Sequence, residues 1–287
     1  MPASSTAPLH QGHVSARLAA RRLSLDFHTF GDVRNPSVLL IHGGGCSWWG
    51  FLRQARSLSE RYHVVVPTLD GHGSERSTPY LSTEDCADKL MAYIDEHLGG
   101  HVFALCGVSL GGQIVVELLS RRPDVATKAI VDGSLLYPKP LMAWFCIAVV
   151  RCFGRLIFSE KACRRQLDAM PRMLPESMQF PREIREYYLE DMPYVPTQTL
   201  ITMYRTYMGG YRLKDDLRKT NAAVSYWYGE KEMRCVKKSA LLFKALVPTC
   251  EIREARGYDH GYLALYLPDE WVRLAGDFFE REPGATE

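Results

Sequence analysis

The sequence predicts an α/β fold: a doubly wound, mostly parallel sheet interrupted by an inserted helical segment. Three observations predict it. Short apolar runs at residues 38–41, 63–67, 101–105, 129–131 and 222–228 alternate with stretches whose apolar residues recur at helical spacing. Strands covered by helices on both faces read in this way. Between residues 135 and 211 the rhythm breaks, and helical pieces separated by Pro171, Pro175, Pro181, Pro193 and Pro196 replace it. Finally, Gly107-Val108-Ser109-Leu110-Gly111 sits between the apolar run 101–105 and the helical pattern of residues 113–120, a strand-to-helix turn carrying G-x-S-x-G.

Each element has its own signal. Residues 14–20 and 23–30 read as two antiparallel strands with Arg21-Arg22 at the turn, the second alternating Leu23, Leu25 and Phe27 with polar residues. The run 38–41 ends in His42-Gly43-Gly44-Gly45, and residues 51–58 form an amphipathic helix. The strand 63–67 leads into Asp70-Gly71-His72-Gly73, a structural loop. Ser82 or Thr83 caps a helix that closes at Gly99-Gly100. After the insertion come the strand 222–228, a helix at 237–246, an edge-like strand at 250–255 and a last helix at 268–279. Within the insertion, the run 141–150 is too short to span a bilayer and is expected to form a buried or amphipathic helix.

Composition narrows the classes. Hydrophobic residues at 46% and charged residues at 24% are ordinary for a globular chain of 287 residues. A net charge of +2 without any basic run argues against a nucleic-acid partner. The eight cysteines show no CxxC and no zinc-type spacing, so free thiols in a reducing compartment are expected and no metal site is. Residues 1–12 lack an apolar core, so no secretory signal is expected and a cytoplasmic location follows by default.

Chemistry concentrates at Ser109. A tight turn between strand and helix leaves no room beside the serine, and glycines meet that demand. The helix begins at the next residue, so the Leu110 N–H points at any oxyanion formed there. The three glycines after His42 can bring further backbone N–H groups close, Gly44 first and Gly45 as the alternative, with His42 fixing the loop. Trp48 and Trp49 beside this loop, and Phe145 in the insertion, are candidates for the wall of a substrate pocket.

Together these residues resemble the α/β-hydrolase fold superfamily, in particular its serine esterases and lipases with a helical cap. The resemblance runs from Leu25 to Phe279 and follows the family order of nucleophile, acid and histidine. It implies a core of residues 1–134 and 212–287 with a cap at 135–211. It also implies that His260, between Gly257 and Gly261, is the general base for Ser109. For the acid, Glu232 stands where the family's aspartate falls, and Asp132 and Glu230 remain alternatives. The resemblance implies a serine hydrolase of a fairly hydrophobic small-molecule ester, with no cofactor and no transmembrane segment; the oligomeric state stays open. Thioesters, perhydrolysis and C–C cleavage use the same machinery, and a ligand receptor on this fold is the non-enzymatic alternative.

Overall fold

A computed structural model describes residues 25–281. Seven strands form one sheet: β1 (Asp26–Phe30), β2 (Ser37–Ile41), β3 (His63–Thr68), β4 (Val102–Val108), β5 (Ala126–Asp132), β6 (Ala223–Gly229) and β7 (Glu251–Ala255). Their order across the sheet is β1-β3-β2-β4-β5-β6-β7. β1 runs antiparallel to β3, and every other neighbouring pair is parallel. This is the doubly wound, mostly parallel sheet that the apolar runs predict, with β7 at one edge. Residues 14–20 lie outside the described residues, and the partner of β1 is β3.

Alternation along each central strand sends side chains to opposite faces. Leu39 and Ile41 of β2 join one core with Val65 and Leu105. Val38 and Leu40 join the other with Val64, Val66 and Ala104. The helices α1 (Leu52–Leu58), α2 (Thr83–His97) and α3 (Leu110–Arg121) divide between these faces: α2 and α3 cover the first, and α1 covers the second. Ser82 caps α2, its hydroxyl accepting the Asp85 N–H at 3.2 Å.

The chain between β5 and β6 is helical. It comprises α4 (Pro140–Ile157), α5 (Glu160–Met173), α6 (Arg182–Asp191) and α7 (Thr197–Met203), which continues into a π turn at Tyr204–Met208. α5 and α6 bury Cys163, Leu167, Ile184 and Tyr188 against Trp49 and Leu52 of the sheet domain. The Trp49 indole N–H also donates to Asp191 at 2.8 Å.

α4 corrects one expectation. The helix does not stop at residue 150 but runs past Arg151 and Arg155 to Ile157, 18 residues in all, long and apolar enough to cross a membrane by length and composition. It is instead packed into the folded unit through Ala143, Val150 and Gly154, against α7 and the π turn. Most of its other large apolar side chains face outward.

The last described elements are α8 (Arg234–Leu246), a short α9 (Tyr262–Tyr266) and α10 (Pro268–Glu280), whose Trp271, Leu274 and Phe278 complete the second core. The sequence pattern did not register α9, which is little more than one turn.

One ion pair is fully enclosed. The Lys89 ammonium on α2 donates to the Asp70 carboxylate at the end of β3, and their side chains are 5% and 0% exposed. Asp70 therefore anchors the structural loop that the sequence predicts here. Removing one partner of a buried pair strands the other charge, whereas replacing both does not. Lys89→Met should lower unfolding stability by about 3–5 kcal/mol, measured by urea denaturation. Lys89→Met with Asp70→Asn should recover a substantial part of that loss.

Candidate active site

The elbow rests on steric exclusion. Ser109 has φ 53° and ψ −111°, the one non-glycine positive φ among the described residues. A strained backbone persists only where its surroundings hold it. Its N–H donates to the Asp132 carbonyl at 2.7 Å, and its own carbonyl accepts the Ser134 hydroxyl at 2.7 Å. A Cβ on Gly107 would strike the backbone of Gly111, and one on Gly111 would strike the Ile41 carbonyl. β4 and α3 can meet at this angle only because both positions lack a side chain.

His260 lies on the loop between β7 and α9. Its Nδ1 donates to Glu232 Oε1 at 2.8 Å. The Glu232 side chain is 1% exposed, whereas the imidazole, 42% exposed, opens toward Ser109's cavity. Burial lowers the histidine pKa. The hydrogen bond and charge of Glu232, with Asp132 and Asp259 behind them, outweigh burial and hold it above the ordinary value.

The other two acids occupy different positions. The Glu230 carboxylate accepts the Gly257 N–H at 2.7 Å and is used in holding the loop. Asp132 is buried, and among the described residues it makes no hydrogen bond to His260. Burial pushes its pKa up to about 7, against the pull of His260 and with the nearby Glu232 charge. Of the three candidates, only Glu232 is hydrogen-bonded to the ring.

Two histidines hold the glycine loop. His42 Nδ1 donates to the Gly43 carbonyl at 2.8 Å, and its Nε2 accepts the Leu69 N–H at 3.0 Å. His72 Nδ1 donates to the Asp70 carbonyl at 2.9 Å, and its Nε2 accepts the Gly45 N–H at 3.0 Å. Each ring must therefore be neutral with its proton on Nδ1. Burial pushes the pKa values down to about 3 for His42 and about 4 for His72. The Gly45 N–H is thus occupied. Gly44 N–H and Leu110 N–H have no acceptor among the described residues, and both residues line the cavity with Ser109.

That cavity holds about 210 Å³, and a second lobe of about 90 Å³ adjoins it at shared lining residues. Gly44, Ser109 and His260 border both lobes. The larger lobe is walled by Leu110 and Leu135 from the sheet domain, by Met142, Met203, Tyr204 and Met208 from the helical segment, and by Met233 and Val236. Thioethers and aromatic rings make a wall that is apolar and adaptable.

None of the three expected wall residues belongs to it. Trp48 stacks on His28 with ring centroids 4.0 Å apart and meets Tyr187 edge-on. Trp49 is buried against α6, and Phe145 points outward, 62% exposed. The sequence reading missed Tyr207. Its hydroxyl lies 3.4 Å from Ser109 Oγ, a contact in which either hydroxyl can donate, and it accepts the Leu135 N–H at 3.2 Å. Among the described residues, Ser109 Oγ has no hydrogen bond to His260. Tyr207 belongs to the π turn, and the sequence carries no signal for such a turn.

A parallel sheet with a strained serine between β4 and α3 defines a nucleophile-elbow α/β protein. The chain belongs to the alpha/beta hydrolase family, which matches residues 38–277. It is 37% identical over 95 residues to a magnesium-chelatase 30 kDa subunit of Rhodobacter capsulatus, covering 32% of this chain and 33% of that one. Over 122 residues it is 29% identical to a pimeloyl-[acyl-carrier protein] methyl ester esterase of Nitrosospira multiformis, covering 39% and 43%. The chain thus spans a third to under half of these relatives. A thermophilic esterase from Thermogutta terrifontis shares the fold with a TM-score of 0.68 at 19% identity, over 88% of this chain and 92% of that one.

The paired loop histidines have a spectroscopic consequence. Because both pKa values lie below the usual 6.5, imidazole nitrogen NMR at pH 5.5 should find His42 and His72 neutral and protonated on Nδ1.

Proposed function

We propose that this alpha/beta hydrolase is a serine hydrolase that cleaves a carboxylic ester of a fairly hydrophobic small molecule through an acyl-enzyme. The observation that carries the reading is the Glu232–His260 hydrogen bond facing the same apolar cavity as the strained Ser109. In the reaction, rotation about the Ser109 Cα–Cβ bond brings its hydroxyl from Tyr207 to the imidazole. His260 takes the proton as Oγ attacks the acyl carbon, and Gly44 N–H and Leu110 N–H hold the oxyanion. His260 then protonates the departing alcohol and activates the water that releases the acid. Glu232 fixes the ring tautomer and stabilises the imidazolium. Residues 135–211 act as the cap, their methionines and tyrosines receiving the apolar part of the substrate.

A fluorophosphonate should label the protein covalently, and Ser109→Ala should abolish labelling by intact-mass measurement. p-Nitrophenyl esters should be turned over repeatedly, best at medium acyl length. A maximum at the shortest chain would contradict the apolar pocket. Labelling without turnover of any ester would overturn the esterase reading in favour of C–C cleavage or a receptor.

The histidine supplies a pH signature. Its proton must be absent for Ser109 to react, and its pKa is raised, so kcat/KM should climb with pH through an apparent pKa above 6.5. Glu232→Ala should reduce kcat by about a hundredfold or more. It should also move the acidic limb of the profile to lower pH, because the group that holds the imidazolium is gone. An unchanged rate would remove Glu232 from the mechanism.

A further inference from the structure

The outer face of α4 carries a feature that the chemistry at Ser109 does not use. Leu141, Phe145, Ala148, Cys152 and Leu156 recur at intervals of four, three, four and four residues, one stripe on a helix. The stripe lies opposite the packed side at Ala143, Val150 and Gly154. Leu141 is 84% exposed and Leu156 71%, and Trp144 beside them is 70% exposed. Scattered apolar residues on a surface are ordinary, but a whole helix face is not.

The charges around this face select its partner. Residues 139–173 hold seven Lys or Arg against two Asp or Glu, a net of +5 in a chain whose total is +2. Arg151 and Arg155 sit one residue ahead of Cys152 and Leu156, on the flank of the stripe. Arg151, Arg155, Lys161, Arg165 and Arg172 have no carboxylate partner among the described residues. A second copy docking through the same face would bring two such cationic sets together. An anionic bilayer offers acyl chains to the stripe and headgroup charge to the arginines, whose long stems reach outward from a buried helix.

We propose that α4 is an interfacial helix that docks the protein on anionic lipid surfaces, lying in the headgroup plane with Leu141, Trp144, Phe145 and Leu156 inserted. It does not span the bilayer, because its inner side is committed to α7 and the π turn. Met142 on the same helix lines the cavity at Ser109, so docking sets one wall of that cavity against the lipid. The inference does not depend on turnover.

The test uses the full chain carrying Ser109→Ala, mixed with phosphatidylcholine vesicles containing or lacking 30 mol % phosphatidylglycerol. Co-sedimentation should show at least tenfold tighter binding to the anionic vesicles, weakening as salt rises. Trp144 is the most exposed of the five tryptophans, so emission should shift to the blue on binding, and Trp144→Phe should remove most of that shift. Leu141→Glu with Phe145→Glu should weaken binding tenfold or more, and Arg151→Glu with Arg155→Glu should erase the anionic preference, with circular dichroism unchanged in both. Absence of binding to either vesicle, or binding indifferent to these substitutions, would overturn the proposal. So would sedimentation equilibrium showing a dimer that Phe145→Glu dissociates, since the occupant would then be a second copy.

Discussion

The whole site depends on how closely α3 approaches the sheet. Gly111 lies against the Ile41 carbonyl and Gly107 against Gly111, so the helix axis comes nearer to β2 and β4 than any side chain would permit. That approach forces the turn at residue 109 into its positive φ, and the hydrogen bonds to Asp132 and from Ser134 keep it there. The strain is offset by the enclosed packing of α3, whose Ile114, Val115, Leu118 and Leu119 are fully buried. The Ser109 hydroxyl is therefore carried on tightly packed, fully buried structure.

Around that point, four segments from distant parts of the chain are joined in two pairs by bonds between side chains and main-chain groups. His42 and His72 tie residues 42–45 to residues 69–72, each ring using one nitrogen to donate and the other to accept. Glu230 fastens the Gly257 turn that precedes His260. Because these bonds leave the Gly44 and Leu110 N–H groups unclaimed, the loop is organised with donors facing an otherwise apolar space. In the proposed reaction, donors fixed in advance in this way would need no reorganisation as charge develops.

The fold and the elbow were legible because both are written in local constraints. A wholly apolar strand, a capping serine and paired glycines each mean the same thing wherever they occur. The pairing of Glu232 with His260 was only partly legible. Glu230 and Glu232 lie two residues apart on one turn, and what separates them is the contact of that turn with residues 257–258, a tertiary fact. The cavity wall was not legible at all. α4 is apolar around most of its circumference, so no periodicity distinguishes the inward Met142 from the outward Phe145. Trp48 and Trp49 are close to the glycine loop in sequence, but the short helical turn that begins there rotates them toward β1 and α6.

The π turn at Tyr204–Met208 links the cap to the elbow. Gly209 N–H bonds to the Tyr204 carbonyl and Tyr211 N–H to that of Thr206, each five residues back. This wider turn, bonded to the fifth residue back where an α-helix bonds to the fourth, contains Tyr207, whose hydroxyl meets Ser109. The geometry of this one turn, as much as its residue types, thus decides which side chain Ser109 meets.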